Sequence, residues 1–224
     1  MISLFDTHTQ RWDTGLYRVC IFLGRIVLAY FFFTQLWWKL PPNFGCTNNF
    51  AFPKPTQQNN YDVNGSSGLC YWMGLESVYA SHPRKILVAD MHYAGLPTIS
   101  VDIGPVAKLN GILLDKIFIP NIRVIGWAVW SFEFSAFFFL LLGLFSRLGS
   151  LAALGILLQL YIGLANIPSP FEWEWTYGIL VAMAIVMLAA ASGRTLGLDA
   201  LLRPKLAEFA KRGNFLAKLG LWLS

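Results

Sequence analysis

Four long apolar runs limit what this chain can become. A helix needs about 20 mostly apolar residues to cross a bilayer. The runs cover about 16–38, 125–145, 148–167 and 175–192. The last two contain no Asp, Glu, Lys or Arg. The first is too long for a cleavable leader, carries Arg18 and Arg25, and has no small-residue cleavage site after it. The expected fold is an all-α integral membrane protein: one domain over residues 1–224, built as a four-transmembrane-helix bundle.

Composition agrees. Of the 224 residues, 56% are hydrophobic and 13% charged, against about 45–50% and about 25% in soluble domains. That excludes a water-soluble enzyme and a free nucleic-acid-binding domain, and aromatics at 16% exclude disorder. The net charge of +5 reads as orientation and contact with anionic lipid, with no nucleic-acid partner. There is no CxxC, no CxxCH and no Cys/His cluster with metal spacing. His8, His82 and His92 lie outside the apolar runs. No metal site and no cofactor of the chain's own is expected.

The connections differ in kind. The first, 39–121, is too long to be structureless. Ile112, Leu113, Leu114, Ile117 and Phe118 suggest an amphipathic segment on the bilayer. The second is a tight turn at Ser146 and Arg147, and the third, 168–173, is short and acidic. From Gly193 onward six cations (Arg194, Arg203, Lys205, Lys211, Arg212, Lys218) interleave with Leu201, Leu202, Leu206, Phe209, Phe215 and Leu216. The pattern fits a C-terminal amphipathic interfacial helix, the alternative being a solvated tail.

Lys and Arg in short flanks set orientation. Arg11, Arg147 and the basic tail fall on one side, so both termini are expected to be cytoplasmic, in a bacterial-type inner membrane. Beyond Lys39 the long loop balances five cations against five anions and is expected to be extracytoplasmic. Disulfides persist there. Cys46 and Cys70 are the expected pair, with two free thiols as the alternative. Asn64-Gly65-Ser66 reads as a turn.

Charges inside a membrane are costly and mark interiors or cavities. Arg18, Arg25, Phe32 and Lys39 recur every seven residues and share a face, drifting about 20° per heptad. Arg18 and Lys39 can snorkel to opposite interfaces. Arg25 lies roughly 13 Å from the inner end of its run and Glu133 roughly 12 Å from the outer end of its own. In a core about 30 Å thick the two are close in depth. An Arg25–Glu133 pair is therefore the candidate site, either a lock on the bundle or the polar end of a pocket that holds a quinone head or moves a proton. Lys39, Gln159 and Asn166 are supporting polar residues. Trp37, Trp38, Trp173 and Trp175 read as an interfacial belt.

These residues, taken in order, resemble the DoxX/DoxD family of small four-helix membrane proteins. The resemblance rests on Arg25 followed by Lys39, on Glu133 leading to Leu142-Gly143-Leu144-Phe145-Ser146-Arg147, and on Gly193-Arg194 with Leu198, Asp199, Leu201 and Leu202. The first loop is longer than the family's usual connection. Bulky Gln35, Leu36, Trp37 and Trp38 stand where small residues are usual. The resemblance implies a redox setting, because DoxD is the membrane subunit of thiosulfate:quinone oxidoreductase. Three functions follow for comparison. The first is a membrane subunit of a quinone-linked redox complex, an enzyme only as part of that complex. Its partners would be membrane lipid and other subunits, with bound quinone and lipid as the expected ligands. The second is a non-catalytic accessory subunit of a respiratory or photosynthetic assembly, docking through the long loop. A transporter ranks last, since paired broken helices and inverted repeats are missing.

Overall fold

The computed structural model describes residues 11–55, 61–62, 68–168 and 173–224, and these are mostly helical. Helices α1 (Arg11–Trp37), α4 (Ile122–Leu142) and α5 (Ser146–Leu164) are long and apolar enough to cross a membrane. A fourth apolar helix, α6 (Glu174–Ala190), has 17 residues. At about 1.5 Å per residue it reaches about 25 Å. The Asn64 turn and most of the acidic third connection lie outside the described residues.

The helices stop where the backbone leaves helical space. Helix α4 ends because Gly143 and Phe145 take φ of +59° and +45°. The turn is therefore at Gly143–Phe145, and Ser146 and Arg147, expected in the turn, already belong to α5. Beyond α5, Asn166 adopts φ +58°. Leu40-Pro41-Pro42 lies beyond the end of α1, where proline cannot support a helix.

The chain is mostly helical, as expected, and its long connection is folded and adds two short ribbons to the helices. It contains α2 (Gly68–Tyr79) and two antiparallel two-stranded ribbons: β1 (Lys54–Pro55) with β2 (Tyr61–Asp62), and β3 (Lys85–Ala89) with β4 (Ile99–Asp102). Ile86-Leu87-Val88 and Ile99-Ser100-Val101 are short, rich in β-branched residues and separated by Gly95 and Pro97, which favours strands. Helix α3 (Gly104–Leu113) then runs through a π-helical turn at Leu114–Phe118. Leu114 is buried, while Ile112, Leu113 and Ile117 are exposed.

The tail holds two helices rather than one, α7 (Leu198–Lys211) and α8 (Phe215–Leu223), which pack together. Gly213, at φ +87°, breaks the run, and Asn214 caps α8 by accepting the Ala217 N–H. Leu201, Phe215, Leu216 and Trp222 face outward.

The chain packs as two compact units. The loop unit comprises Phe32–Ser135 and Ala152–Ala182. The tail unit takes the chain up to Phe31, with Ala136–Leu151 and Met183–Ser224. In the loop unit one core cluster joins Phe44, Leu69, Met73, Leu114 and Ile122 around Cys46 and Cys70. A second joins Leu75, Tyr79, Leu164, Ile167 and Tyr177.

Candidate functional site

In the loop unit the deepest acid on a long helix is Glu133 of α4, which is 1% exposed. Its Oε1 forms an ion pair with the Lys39 ammonium. Lys39 follows the end of α1 and lies over the Trp38 ring, 4.5 Å from its centroid. It is buried rather than snorkelling. The second carboxylate oxygen, Glu133 Oε2, has no hydrogen-bond partner among the described residues. Nor has the buried indole nitrogen of Trp130, three residues earlier on α4. Residues at i and i+3 are neighbours on a helix surface. Lone buried polar atoms are uncommon in proteins and call for an explanation.

A second polar group centres on Glu76 of α2, also buried. Its Oε2 accepts hydrogen bonds from Gln159 of α5 and from Asn110 of α3, the latter at 3.0 Å. A Cβ at Gly163 would overlap the Glu76 carboxyl, which would then have to move from its place against α5. Arg84 is fully buried nearby. Its guanidinium donates to the carbonyl oxygens of Gly163 and Ala165, where α5 ends. Glu76 thus has no ion pair among the described residues. Burial drives its pKa up to about 8, against the opposing pull of Asn110, Arg84, Gln159 and Lys39. Burial likewise lowers the Arg84 pKa, with Glu76 opposing.

Asn166 donates to the Lys85 carbonyl at 2.8 Å and to Glu174 at 3.0 Å, and Glu174 also accepts the Leu87 N–H. Within the loop unit this network ties the β3–β4 ribbon to Asn166 after α5 and to Glu174 at the start of α6. Cys46 and Cys70 form the expected disulfide, with Cα atoms 5.3 Å apart, and Cys20 is free.

The tail unit holds Arg25, 1% exposed. Its guanidinium donates to the carbonyl oxygens of Ser192 at 3.3 Å and Leu196 at 2.9 Å. The Asp199 carboxylate accepts the N–H groups of Phe145 at 2.6 Å and Ser146 at 2.9 Å, capping α5. Gly143, Arg25, Gly193 and Asp199 therefore form one knot, in which a Cβ at Gly143 would strike the guanidinium. The expected Arg25–Glu133 pair is not the one formed. Arg25 takes backbone carbonyls and Glu133 takes Lys39. Gln159 and Asn166, expected as supporting residues, serve Glu76 and the ribbon.

Glu76, Asn110, Arg84 and Trp130 were not legible as site residues. Charge counting placed Glu76 and Arg84 in a balanced loop. The one signal was the apolar setting of Glu76, within Leu69-Cys70-Tyr71-Trp72-Met73-Gly74-Leu75 and its continuation.

The donor set around Glu133 fits a quinone or quinol head. The Lys39 ammonium and the Trp130 N–H are hydrogen-bond donors suited to carbonyl oxygens, and Glu133 Oε2 is an acceptor suited to a hydroxyl. A family model described as "TQO small subunit DoxD" matches residues 105–223, just over half of the chain. Neither the curated proteins nor the solved structures contain a significant match.

Proposed function

The chain belongs to the DoxD family, and from that membership we propose that it is the membrane subunit of a quinone-linked redox complex. In this reading it holds a quinone head at Glu133, Lys39 and Trp130 in place of the Arg25–Glu133 site first expected. The observation that supports it is the free, buried Glu133 Oε2 beside Lys39. A bound quinone would supply two-electron, two-proton chemistry. Lys39 and Trp130 would orient its carbonyl end, Glu133 would accept from the reduced form, and the apolar loop-unit core would exclude water. The electrons would come from a partner subunit. The chain would cross the inner membrane four times with both termini cytoplasmic and the long connection between α1 and α4 on the outer side.

Purification in mild detergent, followed by extraction and quantification of quinone, tests the site. Quinone should co-purify with the wild-type chain and be lost from a folded E133Q variant. Equal retention in E133Q removes Glu133 from the site.

A second reading, an accessory subunit docking through its loop, is favoured by the β3–β4 ribbon. Leu87, Val88, Tyr93, Leu96, Ile99 and Val101 are all exposed there. Stoichiometric co-elution of a partner without quinone, lost on shortening the ribbon tip, would select it.

A further inference from the structure

Glu76 is a buried acid that the proposed quinone site does not use directly. Its neighbours can be named by element. Asn110 of α3 and Gln159 of α5 donate to one oxygen, Oε2. Arg84 and Lys39 are the cations that act on it electrostatically. Ser77, next along α2, donates to Asp115 of the π-helical turn. Arg84 already spends its guanidinium on two carbonyls and gives Glu76 no direct counter-ion. A carboxyl buried without a counter-ion is held as the neutral acid, since ionising it there would carry the full desolvation cost. The same Lys39 that neutralises Glu133 also acts on Glu76, so the two acids share one cation.

We propose that Glu76 is the proton-exchanging group of the loop unit, delivering a proton from the aqueous phase to the Glu133–Lys39 site. The proposal rests on the quinone reading above. In that reading a reduced redox group of the partner subunit gives up two electrons. The quinone gains both electrons and two protons, forming two O–H bonds. A donor that passes electrons alone brings no protons, so both come from water through the protein. Glu76 breaks its carboxyl O–H bond to release one and regains it from solvent. Its pKa near 8 leaves it protonated yet able to ionise under working conditions. The amides of Asn110 and Gln159 hold Oε2 in place in both states.

The test uses the purified full chain, decylubiquinone as the probe and an electrode as the electron source, read by infrared difference spectroscopy. Without quinone, the wild-type spectrum should show a protonated-carboxyl band that bleaches as pH rises through about 8. The band should be absent from E76Q and shifted in E76D. With quinone bound, reduction should perturb that band. Reduction should slow about a hundredfold in E76Q, the low end for a positioned proton donor, and recover in E76D. The wild-type rate should fall above about pH 8 while E76Q stays flat. A titration lacking the Glu76 band overturns the proposal. So does a rate and pH profile unchanged in E76Q, with the quinone reading left standing. A wild-type chain that retains no decylubiquinone overturns the quinone reading, and this proposal with it.

Discussion

Asp199 caps the start of α5 from across 53 residues of chain, accepting the N–H of Ser146 at 2.9 Å and also that of Phe145. A helix start leaves its first N–H groups without partners. Here a single buried carboxylate supplies two of them, and the knot that holds it also seats Arg25.

Breaking that cap should be costly. Hydrogen bonds to a charged group contribute about 1.5–3 kcal/mol. Asp199→Ala should lower stability by about 2–3 kcal/mol, read as a fall in thermal midpoint in detergent. Gly143→Ala meets both the positive φ and the Arg25 guanidinium. It should cost more than about 1 kcal/mol. Alanine at Gly155, which has open space around it, is the control and should change little.

Lys39 and Glu133 should behave as a pair. Removing one partner of a buried pair costs about 3–5 kcal/mol, because the other charge is stranded. Lys39→Met should therefore destabilise the chain more than the double variant Lys39→Met, Glu133→Gln. A double-mutant cycle in thermal midpoint checks this, and simple additivity would contradict it.

Glu76 should make stability pH-dependent. Its folded pKa, about 8, lies above the 4.5 of an ordinary glutamate carboxyl. Between those values the folded chain binds more protons than the unfolded chain, so stability falls as pH rises. The thermal midpoint should drop from about pH 5 to about pH 8 and level off above. Glu76→Gln should flatten that part of the profile. The change is of the order of a few kcal/mol.

The disulfide closes a separation of 24 residues. In the chain-entropy model a loop of that size is worth roughly 3 kcal/mol. Cys46→Ser with Cys70→Ser should lower the thermal midpoint accordingly. Intact mass after alkylation without reduction should show at most one adduct, on Cys20.

The long helices were legible because a hydrocarbon core demands long apolar runs, and α1, α4, α5 and α6 fall within a few residues of their expected bounds. The partners of the buried charges were not. Depth arithmetic matched Arg25 with Glu133 because a list of charges holds only charges. Arg25 is satisfied by the neutral carbonyls of Ser192 and Leu196, which no tally of side chains can reveal. Lys39, expected to reach outward, turns in to Glu133. Glu76 was counted by sign in a balanced loop, although its burial comes from α3 and α5, distant in sequence. The ribbons escaped notice because short β-branched stretches carry little periodicity.

The Arg84 guanidinium over the carbonyls of Gly163 and Ala165 has one more consequence. A helix end in a bilayer normally settles where its last carbonyls can meet water or headgroups, so apolar length sets its immersion. The end of α5 carries its own donor and is released from that constraint. Its immersion then follows the loop that supplies Arg84. A thinner or thicker bilayer would be felt first as strain in that loop, and only afterwards as tilt of the helix.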